Sequence, residues 1–170
     1  MLLAGGCATK AGPVPYAGAE RDVWSTAIRY LDAPGEVVVV RGVTRSEVEH
    51  RTYDGFPDAL VDQMRAAPER PLRGALDLGR RVVLVPPGDL DAMWSATGST
   101  DEGWRAFRER YPHAEGFVSL SRVAFSAGGV WAVVSVSRSY GSRGGNGTLL
   151  LLRRTRGGWR VERATPLWIA

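Results

Sequence analysis

The sequence predicts an α+β domain in which N-terminal helices pack on a C-terminal antiparallel β-meander of about four strands. Apolar residues recur at helical spacing in the first two thirds of the chain, whereas from Gly116 onward extended segments alternate with glycine-rich turns. A chain of 170 residues with 44% hydrophobic and 24% charged residues is typical of one globular domain. No apolar run approaches the roughly 20 residues of a membrane-spanning helix.

Four helices are predicted, each bounded by residues that start or stop a helix. Their predicted ranges are 19–31, 57–67, 89–94 and 99–111. The last begins after Ser99, which can form a capping box with Glu102, and it ends before Pro112. Its apolar side chains share one face, so we expect that face to be buried.

Extended segments are predicted wherever a short apolar run lies between turn residues. Their predicted ranges are 36–44, 80–85, 117–125, 130–138, 148–155 and 159–164. The run Leu149 to Leu152 lacks polar alternation, which predicts a central strand with both faces covered. Residues 139–147 are predicted to form a loop. The layout is similar to the cystatin-like or nuclear-transport-factor-like folds, in which helix and curved sheet enclose a pocket.

The first 18 residues predict a signal remnant and a tether, followed by a single domain over residues 19–170. Cys7, the only cysteine, follows small residues and two leucines, as in the lipobox of bacterial lipoproteins. We therefore predict lipidation at Cys7 and a location on the extracytoplasmic face of a bacterial membrane. The alternative is a cytoplasmic protein with an incidental cysteine.

The C-terminal third is strongly basic. Residues 120–170 contain eight arginines and one acid, Glu162. Such a surface attracts anions. The aromatic residues lie at core spacing rather than between exposed arginines, so a nucleic-acid partner is not predicted. The expected partner is an unknown protein or a small anionic ligand, and membrane contact is expected only through the lipid.

The most suggestive polar loop lies between the second and third predicted strands of the meander. It offers backbone N–H groups and guanidinium groups to an anion. The candidate anion-binding residues are Arg138, Arg143, Gly144, Gly145 and Asn146. A plain hairpin turn, which needs glycine for positive φ, explains the same residues.

A second candidate site is a pocket between helices and sheet. Ser135 and Ser137 alternate with valines and so share one sheet face, and His113 could act with Glu115 as an acid–base pair. The alternatives are a solvated sheet face and an exposed histidine in a turn. The motifs of common hydrolases, metalloproteases and phosphate-binding loops are absent, and we predict neither a catalytic residue, a metal site nor a cofactor.

Several short motifs of the last 70 residues resemble a family of bacterial proteins that has no assigned activity and includes secreted or lipid-anchored members. The matching residues are Trp104, Phe107, Tyr111-Pro112, Gly116, Leu120-Ser121-Arg122-Val123, Phe125, the glycine-rich hairpin, Gly158-Trp159, Val161 and Trp168-Ile169. The resemblance covers residues 101–170 well and residues 72–100 faintly. It implies no known activity. The predicted function is a non-catalytic binding or interaction module, and the alternative is a small-ligand-binding protein or enzyme.

Overall fold

A computed structural model describes residues 17–170 of the chain and confirms the α+β class. Its helices are α1 (Ala17–Tyr30), α2 (Asp58–Ala66), α3 (Asp89–Ser95) and α4 (Thr100–Arg110). Its strands are β1 (Val37–Arg41), β2 (Arg81–Val85), β3 (Phe117–Leu120), β4 (Ala124–Phe125), β5 (Trp131–Gly141), β6 (Gly144–Thr155) and β7 (Gly158–Ile169). None of the helices in this part of the chain is long and apolar enough to span a membrane.

The sheet is larger than predicted and mixed rather than antiparallel. It has seven strands in the order β2-β1-β3-β5-β6-β7, with β4 paired to β5. Strand β1 pairs in parallel with both β2 and β3. The prediction of about four strands was wrong because it limited the sheet to the meander. Helical crossovers connect β1 to β2 and β2 to β3, and such connections permit parallel pairing.

The meander itself also differs in its boundaries. Predicted segment 117–125 divides into β3 and β4, which both pair with β5. The predicted loop 139–147 is mostly strand, because Gly141 pairs with Gly144 and leaves only Ser142 and Arg143 in the turn. Strands β5, β6 and β7 therefore form long hairpins, of which β7 is the outer edge.

Side chains alternate between the two faces of each strand, and the two faces of this sheet differ. The face that packs against α1, here called the α1 face, is apolar and buried at its centre. Its strand residues include Val38, Val40, Val118, Leu120, Val134, Val136, Leu150 and Leu152. The opposite face, here called the serine face, has one apolar cluster with α2 and another with α3 and α4. Ser119, Ser135 and Ser137 also lie on this face.

The N-terminus of α4 shows how local sequence fixes the elements of the serine face. The Ser99 hydroxyl accepts a hydrogen bond from the Glu102 N–H at 3.3 Å. The Glu102 carboxylate accepts one from the Gly98 N–H at 2.8 Å, one residue earlier than a standard capping box would use. The first bond satisfies a donor that the first helical turn cannot pair internally, and the second holds the residue that precedes the N-cap. They set the start of the helix that carries Trp104 and Phe107.

Candidate functional site

An open cleft of about 290 Å³ lies on the serine face, between the sheet and helices α3 and α4. We call it the aromatic cleft. Its lining residues are Arg41, Asp91, Trp94, Trp104, Phe117, Ser139 and Gly141. Its size approaches the lower limit of typical small-molecule sites, which combine apolar walls with a few polar groups.

The apolar wall is a cluster of aromatic rings from α3, α4 and β3. Trp94 meets Trp104 edge to face with ring centroids 5.2 Å apart, and Trp104 stacks on Phe117 at 5.8 Å with an interplanar angle of 17°. Gly103 permits this packing, because a Cβ there would lie 2.8 Å from the Trp94 indole. The rings hold one another in fixed orientations, so this wall is formed before any ligand arrives.

The polar wall is an ion pair between Arg41 and Asp91. Arg41 ends β1 and Asp91 lies in α3, just after β2, so both lie near the carboxyl ends of parallel strands. Arg41 Nη1 lies 3.0 Å from both Asp91 carboxylate oxygens. The Arg41 side chain is only 12% exposed, whereas Asp91 is 57% exposed. Ligand sites in sheets with parallel strands commonly form at this end.

One hydrogen-bond donor of Arg41 has no partner. Its Nε is buried and has no hydrogen-bond partner, and its guanidinium lies 5.5 Å from the centre of the Phe117 ring. Buried N–H groups are normally paired, so an unpaired one requires an explanation. In a site of this shape, a ligand acceptor or an ordered water is the ordinary partner.

A close backbone approach brings Ser139 to the cleft. Phe117 pairs with Ser139 in the register between β3 and β5. A Cβ on Gly116 would lie 2.1 Å from the Ser139 carbonyl oxygen, so only glycine permits this approach. Ser139 therefore lies beside Phe117 of the aromatic wall.

The structure separates the residues of the predicted serine pocket. Ser135 and Ser137 are on the serine face as expected, but they are only 5% and 7% exposed and do not line the aromatic cleft. His113 is exposed in the connection between α4 and β3, with φ +69°. Its Nδ1 lies 3.9 Å from the Glu36 carboxylate, so Glu36 rather than the expected Glu115 is its acidic neighbour.

The candidate anion-binding residues belong to a hairpin rather than to a loop. Gly144, Gly145 and Asn146 lie in β6, and Arg143 lies in the turn. The Arg138 guanidinium lies 4.5 Å from the centre of the Tyr140 ring. None of the three β6 residues needs a positive φ.

The glycines of β6 have a packing role that the sequence prediction missed. A Cβ on Gly145 would lie 2.9 Å from the Trp168 ring, and one on Gly144 would lie 2.5 Å from the Tyr140 ring. The Tyr140 and Trp168 rings therefore occupy the space that a Cβ at Gly144 or Gly145 would need.

Two other sequence predictions concern the N-terminus and metals. Cys7 lies outside the described residues. Within residues 17–170, no group of three or more His, Cys, Asp or Glu side chains is placed to hold a metal ion.

The sequence prediction missed Arg41 and Asp91 as site residues. A signal was available, since Arg41 is a charged residue directly after the buried run Val37 to Val40. The helix face that carries Trp104 was predicted only to be buried, because helical spacing does not distinguish a core ring from one at the rim of a cleft.

Comparisons of the chain with known protein families, with curated proteins and with solved structures find no match. The resemblance of residues 101–170 to a bacterial family therefore stays a prediction.

Proposed function

We propose that this chain is the ligand-binding domain of an extracytoplasmic bacterial lipoprotein, anchored at Cys7, and that the aromatic cleft is its binding site. The single observation that carries the binding proposal is the Arg41–Asp91 pair at the edge of the aromatic wall. A wall of rings beside two opposite charges favours a small molecule with an apolar ring and both donor and acceptor groups. The lipid anchor is supported only by the sequence around Cys7.

Binding without chemistry is the simplest use of this cleft. Asp91 and Ser139 line it, but the histidine considered as an acid–base group, His113, lies outside its lining. A general base must come within hydrogen-bond reach of the proton that it removes. The predicted alternative was a protein of cystatin-like or nuclear-transport-factor-like layout with a ligand pocket between helices and sheet. The aromatic cleft also lies between helices and sheet.

The ligand class can be tested with three small aromatic probes of different charge. Phenylalanine carries both charges, benzoate only the negative charge and benzylamine only the positive charge. We expect phenylalanine to bind most tightly, because Arg41 can receive its carboxylate and Asp91 its ammonium group. Titrations followed by calorimetry would rank the three probes. Equal or absent binding of all three would contradict the proposal.

Arg41→Met provides the matched variant, since it removes the charge and retains most of the side-chain volume. We expect it to weaken phenylalanine binding about tenfold or more, the usual effect of losing a hydrogen bond to a charged group. Arg45→Met is the control, because Arg45 also pairs with an exposed carboxylate, that of Glu69, but lies outside the cleft lining. Equal loss in both variants would indicate a general charge effect.

A further inference from the structure

A second cleft, of about 280 Å³, lies on the serine face beside the edge strand β7. We call it the arginine cleft. Its lining residues are Arg51, Thr52, Tyr53, Asp54, Arg163, Ala164 and Thr165. Two guanidinium groups and two threonines face one carboxylate here. The lining is therefore polar with a net positive charge, in contrast to the aromatic cleft.

We infer that the arginine cleft binds a phosphate-type oxyanion between Arg51 and Arg163, with Tyr53 as a further donor. Guanidinium groups bind phosphate through paired N–H donors, and a tyrosine hydroxyl adds a third. This inference is independent of the proposed function, which concerns the other cleft.

Arg163 is available for such a ligand. It lies opposite Leu151 in the register of β6 and β7, and no acidic side chain forms an ion pair with it among residues 17–170. Its guanidinium packs against Gly55, where a Cβ would lie 2.5 Å from Arg163 Cζ. Gly55 has φ +74° and lacks a side chain, so the turn leaves room for the guanidinium.

Arg51 is held on the other side of the cleft. Arg65, in α2, donates hydrogen bonds to the carbonyl oxygens of Glu49 at 2.6 Å and Arg51 at 3.2 Å. This fixes the backbone that carries Arg51 before a ligand binds. The Arg51 guanidinium lies over the Tyr53 ring, 4.9 Å from its centre. Its ion pair with Glu49, at 3.3 Å, is exposed and therefore weak.

The Tyr53 hydroxyl also favours a ligand with acceptor oxygens. Tyr53 is 6% exposed, and its hydroxyl is buried without a hydrogen-bond partner. An unpaired buried hydroxyl is unfavourable, and a bound acceptor would remove that cost. Since Tyr53 lines the cleft, a phosphate oxygen is a suitable acceptor.

The test is calorimetric titration of the full chain with inorganic phosphate at constant ionic strength, with chloride as the competing anion. We expect saturable phosphate binding that Arg163→Gln weakens about tenfold or more. Arg156→Gln is the matched control, because Arg156 is an exposed arginine in the β6–β7 turn and does not line the cleft. Equal losses in the two variants, or equal binding of phosphate and chloride, would overturn the inference.

Tyr53→Phe separates a binding role from a structural one. Because the hydroxyl is unpaired in the free protein, its removal should leave the melting temperature unchanged or higher. Phosphate affinity should nevertheless fall about three- to tenfold. A lower melting temperature with unchanged phosphate affinity would show that the hydroxyl stabilises the fold and does not serve the site.

A vesicle-binding experiment distinguishes a lipid headgroup from a soluble phosphate as the ligand of the arginine cleft. Phosphatidylglycerol vesicles present it as a lipid headgroup, and phosphatidylcholine vesicles are the neutral control. Vesicle binding that Arg163→Gln abolishes and Arg156→Gln retains would assign the cleft to a headgroup. Phosphate binding with no such vesicle binding would assign it to a free phosphate or phosphate ester.

Discussion

The two faces of the sheet are formed by the same strands but differ in how continuously apolar side chains pack on them. On the α1 face, consecutive strands contribute Val118, Val134 and Leu150 to one continuous apolar cluster with α1. On the serine face, the corresponding positions are apolar only beneath α2 and beneath α3 and α4. Both the aromatic cleft and the arginine cleft open on the serine face. The α1 face thus carries the continuous part of the core, whereas the serine face has gaps between its apolar clusters in which polar side chains and clefts lie.

Between the apolar clusters, the serine face is held by specific contacts. The Trp168 ring covers Gly145 and Gly147, and its N–H donates a hydrogen bond to the Glu47 carboxylate at 3.0 Å. This contact connects the edge strand β7 to the segment that follows β1. The difference between the faces predicts different responses to substitution.

The largest difference is expected between Leu150→Ala and Ser135→Ala. Leu150 is fully buried on the α1 face, and its truncation should lower the free energy of unfolding by about 2–5 kcal/mol. Ser135→Ala removes one hydroxyl from the serine face and should cost less than about 1.5 kcal/mol. Urea denaturation followed by circular dichroism measures both. Similar losses would remove the distinction between the faces.

Gly147→Ala should show that a glycine maintains the packing of the serine face. A Cβ at Gly147 would lie 2.4 Å from Trp168 Nε1, which its bond to Glu47 holds in place. We expect a loss of about 1–3 kcal/mol from overpacking. Gly157→Ala is the control, since no atom lies within 4 Å of a Cβ there. If the two variants unfold at the same urea concentration, Trp168 adapts freely and the proposed contact is unimportant.

Ser99→Ala tests the start of α4, which carries Trp104 of the aromatic wall. Loss of the hydrogen bond from the Glu102 N–H should cost about 1 kcal/mol. Ser142→Ala, in the exposed β5–β6 turn, should leave the melting temperature unchanged. A Ser99→Ala protein as stable as the unmodified chain would show that Glu102 alone caps the helix.

The smallest effect on stability is expected for Arg41→Met. Asp91 remains 57% exposed and therefore solvated, so breaking the pair should change the free energy of unfolding by less than about 1 kcal/mol. The same variant should weaken binding in the aromatic cleft more strongly than it weakens the fold. A stability loss above about 3 kcal/mol would instead assign Arg41 to the fold.

The sequence predicted the elements better than their arrangement. Each predicted helix is present with shifted ends, because apolar periodicity and Ser or Pro at helix starts are local signals. The parallel pairing of β1 with β2 and β3 was missed, since pairing depends on contacts between distant segments. The glycines of β6 were interpreted as turn residues, because the Trp168 ring that covers two of them is about 20 residues away in sequence.

The candidate sites were predicted only in part. Ser135 and Ser137 were placed correctly on one sheet face, but the aromatic cleft is lined by Ser139, which was assigned to a loop, and by residues of β1, α3, α4 and β3. No spacing within the sequence brings Arg41 to Asp91, which is 50 residues away. The basic character of the C-terminal third was recognised, whereas the convergence of Arg51 and Arg163 depends on how a preceding loop packs against β7.

The most direct test of the binding proposal is a nuclear magnetic resonance titration of the tryptophan indole N–H signals with phenylalanine. The chain has six tryptophans, of which Trp94 and Trp104 line the aromatic cleft. Trp24 is an internal control, because its indole N–H donates to the buried Ser121 carbonyl oxygen at 2.9 Å. We predict saturable shifts of the Trp94 and Trp104 signals while the Trp24 signal stays in place. Unchanged Trp94 and Trp104 signals at saturating phenylalanine would contradict the proposed site.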